Sequence, residues 1–378
     1  MQIQFVPDPV MPGLKTSAVI LGAGVSGLAT ALALLRRGHR VTLLERGEAG
    51  GESSWAGGGI VSPLLPWDYA KPVNALALRS MAGYGDWVAG IEALSDCSAE
   101  FWRCGMQVSD CANPDAARAW CAEQGWACEA GGSAFRPTCR PEGRPTENLY
   151  LPEVAQVRNP RLVAALRGAV VRLGGVIYAH CAVESVTTQA GRMTAVHTAR
   201  GTFTADRFVL AMGAWAGLGL PGLPGMPAIR PIRGQMLLFK LQPGALDTIL
   251  YRNGLYVIPR RDGHVLVGST LEDAGFDKST DAATRQRLQM EAAELLPALA
   301  DVQPVQHWAG LRPGSPDNIP VIGVHPDFDN VFVNAGHYRY GVTMAPASAE
   351  LLVDLMEGKT PALDPAPYGW AAAQARRW

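Results

Sequence analysis

The patterned part of the chain begins with an apolar run, Ser17–Leu21, that meets Gly22, Gly24 and Gly27 in the spacing GxGxxG. Apolar residues then recur with helical period through Leu35, and a second apolar run ends at Glu45. That order predicts strand, glycine turn, helix, strand, acid. A helix is expected around Ala75–Ile91. Another begins at Asn159-Pro160, where proline suits the first turn, and stops near Leu173 before Gly174-Gly175. Strands follow at Val176–Ala179, Ala182–Val186 and Arg207–Met212, the last ending at Gly213-Ala214-Trp215. The runs Gly234–Leu241, Gly254–Pro259 and His264–Gly268 alternate apolar and polar. Arg261-Asp262-Gly263 between the last two signals a hairpin. A polar helix is expected over Asp281–Leu295, capped by Ser279 or Thr280. A strand at Val331–Asn334 and a helix running to Met356, closed by Gly358, complete the pattern. Residues 96–150 carry little periodic signal and include the proline-rich stretch Arg136–Thr146. The tail after Lys359, rich in Pro and Ala, is expected at the surface.

Each part of the first unit has a physical task in holding a dinucleotide. Gly22 makes the tight turn. Gly24 lets a pyrophosphate approach the backbone. Gly27 lets the helix pack closely on the strand. The helix start, with Val25 and Ser26, offers unpaired N–H groups and a positive dipole end to phosphates. Glu45, about 20 residues beyond the glycines, sits where an acid accepts hydrogen bonds from a ribose.

The chain has 378 residues, a hydrophobic fraction of 48% and a formal net charge of −1. That length suits two connected domains. The near-zero charge argues against nucleic acid or an anionic membrane as partner. The seven cysteines (Cys97, Cys104, Cys111, Cys121, Cys128, Cys139, Cys181) form no CxxC and no zinc spacing, and read as reduced thiols; no metal is expected. The first residues lack the pattern of a secretory signal, and no apolar run nears the roughly 18 residues of a membrane span. A cytoplasmic location is the expectation.

Directly after the second strand comes SSWAGGGIVSPLLPWDY (Ser53–Tyr69), rich in small residues: Ser53, Ser54, Ala56, Gly57, Gly58 and Gly59. Two further strings, HWAGLRPGSPDNIPVIG (His307–Gly323) and NAGHYRYGVTMAPASAELLVDLM (Asn334–Met356), stand in the last quarter. Together these resemble the glycine oxidases of thiamine biosynthesis, within the D-amino-acid oxidase-like flavoprotein superfamily, and the resemblance spans about residues 17–358. It implies FAD rather than a nicotinamide, because the small-residue loop lets backbone run along the flavin. It also implies an α/β fold with a Rossmann-like FAD-binding domain (16–95, 151–225, 318–365) and a discontinuous antiparallel-sheet substrate domain (96–150, 226–317).

The same resemblance assigns site residues. Arg312, in GLRP, would bind a substrate carboxylate, a role that a planar, permanently charged guanidinium suits; the residues alone leave open a salt bridge to a protein acid. Tyr256 would give its hydroxyl to the same carboxylate, or serve as a core aromatic. Arg339 would lie near flavin and substrate. Ile60 and Leu271 would wall the substrate pocket, and Gly254 would be a small position at its entrance. Arg46, Val183, Gly213 and Trp215 would contact the cofactor. Gly336, His337, Tyr338, Arg339, Tyr340, Gly341, Val342 and Thr343 would close on the flavin's pyrimidine end, with the following helix pointing its positive end there. Tyr340 stands where the family usually has Asn. His337 reads as a structural histidine ahead of a base. Where sarcosine oxidases carry a cysteine that binds FAD covalently, alignment on Pro316-Asp317 places Gly310, so non-covalent FAD is expected.

The activity implied is oxidation of glycine or a small N-substituted glycine. Hydride passes from the α-carbon to flavin N5, giving an imine, then glyoxylate, with dioxygen reduced to hydrogen peroxide. Supply of the imine to thiazole synthesis is implied with it. Open alternatives are a bulkier N-carboxymethyl amine as substrate, a D-amino-acid dehydrogenase passing electrons to a quinone, and a non-catalytic flavin-binding subunit. The resemblance allows a homo-oligomer, although no interface is legible.

Overall fold

The computed structural model describes residues 16–131 and 147–378. The proline-rich stretch Arg136–Thr146 and the segment preceding Thr16 lie outside the described residues.

The strand Ser17–Leu21 forms as expected and becomes central to a six-stranded sheet. It pairs in parallel with Arg40–Leu44 on one side and Arg207–Leu210 on the other. Val176–Tyr178 extends the first flank in parallel, and Phe328–Ala335 the second. Val321–His325 closes that edge antiparallel. Both faces of the first strand are buried. Ala18 and Ile20 face one core, Val19 and Leu21 the other, which explains why the run reads as continuously apolar rather than alternating. The helices Val25–Arg36, Asn159–Arg172 and Gly341–Met356 cover one face.

A second sheet has eight strands in the order Gln306–Gly314, Arg230–Lys240, His264–Gly268, Leu255–Pro259, Ile249–Arg252, Met106–Cys111, Glu147–Leu151, Glu129–Ala130. It is antiparallel except where Ile249–Arg252 runs parallel to Met106–Cys111. The architecture is therefore α/β, a Rossmann-like nucleotide-binding unit beside a mixed, mainly antiparallel sheet whose strands come from separated stretches of chain.

Several local expectations change. The helix around Ala75–Ile91 is two helices, Lys71–Met81 and Tyr84–Glu92, because the chain breaks at Ala82-Gly83 and restarts from Gly83. The polar helix Ala282–Leu295 is capped by Asp281, whose side chain accepts from Thr284 N at 2.7 Å, rather than by Ser279 or Thr280. The tail is not merely a surface segment. Tyr368 and Trp370 are buried, with the Tyr368 hydroxyl donating to Pro72 O at 2.7 Å and Trp370 packed on His325. The hairpin at Arg261-Asp262-Gly263 forms, with Gly263 at φ +84°.

Among the described residues, no helix is long and apolar enough to cross a membrane, and no cluster of acidic, histidine or cysteine side chains could hold a metal ion. Cys97, Cys104, Cys111, Cys121, Cys128 and Cys181 are free thiols.

Candidate active site

One long cleft runs from the glycine turn of the first sheet to the face of the second. At its first end Gly22 sits at φ +104°, and a Cβ there would lie 2.4 Å from the carbonyl oxygen of Ala211. A Cβ on Gly27 would lie 2.0 Å from Gly22 O, so the helix starts directly against the turn. Gly24 is that helix's N-cap and brings no side-chain cap, and the first turn carries no acid. The end of the helix thus presents N–H groups and positive potential to the cleft. Val25 N currently donates to Ser54 Oγ at 2.9 Å. Glu45 braces the turn from the second strand: its carboxylate accepts from Ala23 N at 2.9 Å and Gly47 N at 3.0 Å. The Arg46 guanidinium lies 3.4 Å over the Trp215 ring and pairs with Glu52 at 3.0 Å.

Nearly all residues singled out from the sequence line this cleft. Glu45, Arg46, Ser53, Ser54, Ala56–Gly59, Ile60, Val183, Gly213, Trp215, Tyr256, Arg312 and 336–342 do so together. Gly27 lies beneath it. Thr343 lies behind it, fully buried, donating its hydroxyl to Ile60 O at 3.0 Å. Gly254 and Leu271 do not line it. Gly254 occupies the φ +92° position of the turn between Ile249–Arg252 and Leu255–Pro259, and Leu271 is half exposed on the loop after His264–Gly268. Leu271 is thereby a correction to the expected pocket wall, and Gly254, expected at the entrance, stands on a hairpin turn outside the cleft lining.

At the other end, strand register assembles the second half of the site. Arg312 opposes Ile232, Gly234 opposes Gly310, Met236 opposes Gly268, and Gly268 opposes Tyr256. Because side chains alternate, Arg312, Gly234, Met236 and Tyr256 share one face. A Cβ on Gly234 would sit 2.2 Å from Arg312 Nη1, so the arginine lies flat across a bare strand. Its Nη1 donates to Thr270 O at 3.2 Å and its Nη2 to Ser269 Oγ. Among the described residues no carboxylate pairs with it. The alternative of a protein salt bridge is therefore not what is found. Tyr256 points its hydroxyl at Met236 Sδ, a weak acceptor 3.4 Å away. The site missed by sequence reasoning includes Gly234, Ser269 and Thr270, and the only available signal was a glycine inside a strand. We expect Gly234→Ala to displace Arg312, because the added methyl takes the place of its guanidinium; a structure of the variant checks this, and an arginine left in place would contradict it.

Arg339 donates to the Tyr69 hydroxyl at 3.3 Å. Burial opposes its charge, but Tyr69, Tyr340 and Tyr338 around it hold its pKa above the ordinary value. Tyr340, in the position usually held by Asn, packs edge-on to Tyr69 with centroids 5.0 Å apart and accepts from Leu64 N at 3.3 Å. The helix Gly341–Met356 starts here with no side-chain cap and no acid in its first turn.

His337 is buried between Ser348 Oγ at 2.9 Å and Ser26 Oγ at 3.3 Å. Burial pushes its pKa down to about 4, so it is neutral at physiological pH and poorly suited to take a proton. The sign for stability follows. Below the ordinary histidine value the unfolded chain binds a proton that the folded chain refuses, so stability falls as pH drops from about 6.5 toward 4, by ~3 kcal/mol in full. Thermal melting of His337→Asn across that range should show a shallower decline than wild type; an identical decline would assign the effect elsewhere.

The residues present fit a flavin dinucleotide. Glycines clear a path for backbone contact on both sides of the cleft, and two helix N-termini line it with no side-chain cap from their own N-cap residues, Gly24 and Tyr340. Asn159 adds a third fit: it is 1% exposed, lines the cleft, and neither amide atom has a partner. That amide abuts the glycine loop, since a Cβ on Gly59 would lie 2.6 Å from its Oδ1. Asn159 was legible only as the start of a helix.

Comparison with known proteins agrees. The family model described as FAD dependent oxidoreductase matches residues 17–355. The glycine oxidase of Pseudomonas aeruginosa is 43% identical over 368 residues, covering 94% of this chain and 98% of that protein. The glycine oxidase of Pseudomonas putida is 42% identical over 358 residues, with the same coverage of 94% and 98%. Among solved structures, the glycine oxidase from Geobacillus kaustophilus superposes with a TM-score of 0.83 at 27% identity, over 94% of this chain and 98% of that one. The chain belongs to the FAD dependent oxidoreductase family, alongside the glycine oxidases, and is an FAD-binding oxidoreductase of amino-acid-like substrates.

Proposed function

We propose that the protein oxidises glycine or a small N-substituted glycine, with non-covalently bound FAD and dioxygen as the final acceptor. The observation that carries this reading is Arg312: a guanidinium laid across bare strand in the cleft, fixed by neutral oxygens and paired with no carboxylate among the described residues. A substrate carboxylate supplies the missing partner through two parallel hydrogen bonds. Tyr256, now against a thioether sulfur, can turn its hydroxyl to the same group at little cost.

Bound FAD supplies the acceptor for the two electrons of the substrate's α-carbon–hydrogen bond. The chain's own contribution is orientation and charge. Arg312 and Tyr256 fix one end of the amino acid, and Arg339 adds positive charge near the same end of the cleft. With His337 a poor base, the substrate ammonium gives its proton to solvent water before oxidation, leaving the amine lone pair free. The product imine then hydrolyses to glyoxylate, releasing ammonia when the substrate is glycine and the primary amine when it is an N-substituted glycine. Gly310 offers no thiol for a covalent flavin link. Supply of the imine to thiamine thiazole assembly belongs with this reading, supported by similarity to glycine oxidases alone.

Peroxide formation tests it, using purified protein with glycine, sarcosine, N-ethylglycine, D-alanine, D-proline and longer N-alkyl glycines. Peroxide with glycine and small secondary amines supports the proposal. Activity confined to bulky N-substituted glycines moves the substrate outside it, and flavin reduction without peroxide removes dioxygen as acceptor.

A further inference from the structure

The strand Leu255–Pro259 carries Tyr256 on the face that meets the cleft. Side chains alternate, so Ile258 and then Arg260 follow on the same side. All three reach the same short loop. A Cβ on Gly58 would lie 2.7 Å from Ile258 Cδ1 and 3.2 Å from Tyr256 Cε2. Arg260 Nη2 donates to Gly58 O at 2.8 Å, and its Nη1 donates to Val157 O at 3.1 Å and to Gln156 Oε1. One guanidinium thus ties the substrate-binding strand to the glycine loop and to the segment leading into Asn159.

The surroundings make this more than a packing contact. Arg260 is 6% exposed. Burial pushes its pKa down to about 10, which leaves it charged at neutral pH. Its bonded partners are neutral oxygens. The nearby acids Glu100 and Asp262 pair instead with Arg158, at 3.4 and 2.8 Å. A buried cation without a bonded carboxylate is costly, and an apolar residue of similar volume would serve stability better. Its backbone is also held, with N donating to His264 O at 2.7 Å and O accepting from Gly263 N at 2.9 Å. The side chain therefore projects from a fixed hairpin onto a loop that has almost no side chains of its own to hold it.

We propose that Arg260 is a positioning residue: through the Gly58 carbonyl it sets the glycine loop that the flavin lies against, and so aligns the cofactor with the amino acid held by Arg312 and Tyr256. This rests on the function proposed above, and it acts on geometry rather than on substrate affinity.

The test uses the FAD-loaded full-length protein and the variants Arg260→Met and Arg260→Lys. Arg158→Ala is the control, since it removes a tie between the same two segments without touching Gly58. Four quantities are read: the visible flavin spectrum, FAD affinity, the limiting rate and KM of anaerobic flavin bleaching by an active amine, and Tm. In both Arg260 variants the flavin band shape changes and the limiting rate falls about 10- to 100-fold, the scale of ångström-level misplacement. KM stays within about threefold, because Arg312 and Tyr256 are intact. Arg158→Ala changes Tm alone. A lowered Tm with wild-type spectrum and wild-type bleaching rate in the loaded Arg260 variants would make the residue purely structural and overturn the proposal. If Arg260→Met yields no folded protein, Arg260→Lys decides by the same criteria, because it keeps the charge while losing the fork that spans three acceptors. If no amine bleaches the wild type, the substrate reading fails separately, and an unchanged flavin spectrum and FAD affinity in Arg260→Lys still overturn the role assigned to Arg260.

Discussion

Arg312→Ala should lower kcat/KM for glycine by about 30- to 5000-fold, corresponding to 2–5 kcal/mol for a desolvated charge pair that loses one partner. The FAD content should be unchanged, because the arginine is carried by the eight-stranded sheet and its guanidinium bonds, among the described residues, to Ser269 and Thr270. Arg312→Lys should recover part of the loss, since an ammonium keeps the charge but cannot present two parallel donors. An amine that lacks a carboxylate should lose little in either variant. Initial rates with glycine and with such an amine check the assignment, and equal losses for both would detach Arg312 from carboxylate recognition.

Gly22→Ala should abolish cofactor retention and cost ~3 kcal/mol or more in stability, the range for strain forced on a packed backbone position. The added Cβ meets the Ala211 carbonyl oxygen at 2.4 Å, and its nearest neighbours are all backbone atoms of Ala211 and Met212, with no flexible side chain to yield. Gly38→Ala is the matched comparison. Gly38 has φ +84° but nothing within 4 Å of its Cβ, so only the conformational cost applies, about 1–2 kcal/mol. Purified Gly38→Ala should be yellow and fold normally, whereas Gly22→Ala should be colourless or unstable. Comparable behaviour of the two would mean that crowding at the first turn is not what the glycine relieves.

The nucleotide end of the site was legible because its constraints are local. Gly22, Gly24 and Gly27 answer to a turn and a helix within one short stretch, and Glu45 reaches back to Ala23 N from the adjacent strand. Arg312 and Tyr256 were reached through resemblance, and the structure brings them onto one face. What stayed hidden depends on pairing between distant strands. Gly234 matters because it opposes Gly310 beside Arg312, and Thr270 because its carbonyl faces that arginine; neither fact has a sequence period. Leu271 and Gly254 show the reverse failure. Their neighbours in sequence belong to the site, but a half-exposed loop and a hairpin turn carry them away from the cleft. Tyr368 and Trp370 were misread because a Pro- and Ala-rich composition says nothing about two aromatics that find a groove.

Anaerobic mixing of the FAD-loaded protein with glycine is the most direct test of the central claim. The account predicts bleaching of the oxidised flavin band in the wild type with glyoxylate appearing in equal amount, and strongly slowed bleaching in Arg312→Ala. A wild-type flavin that stays oxidised with glycine and with every small N-substituted glycine would contradict it.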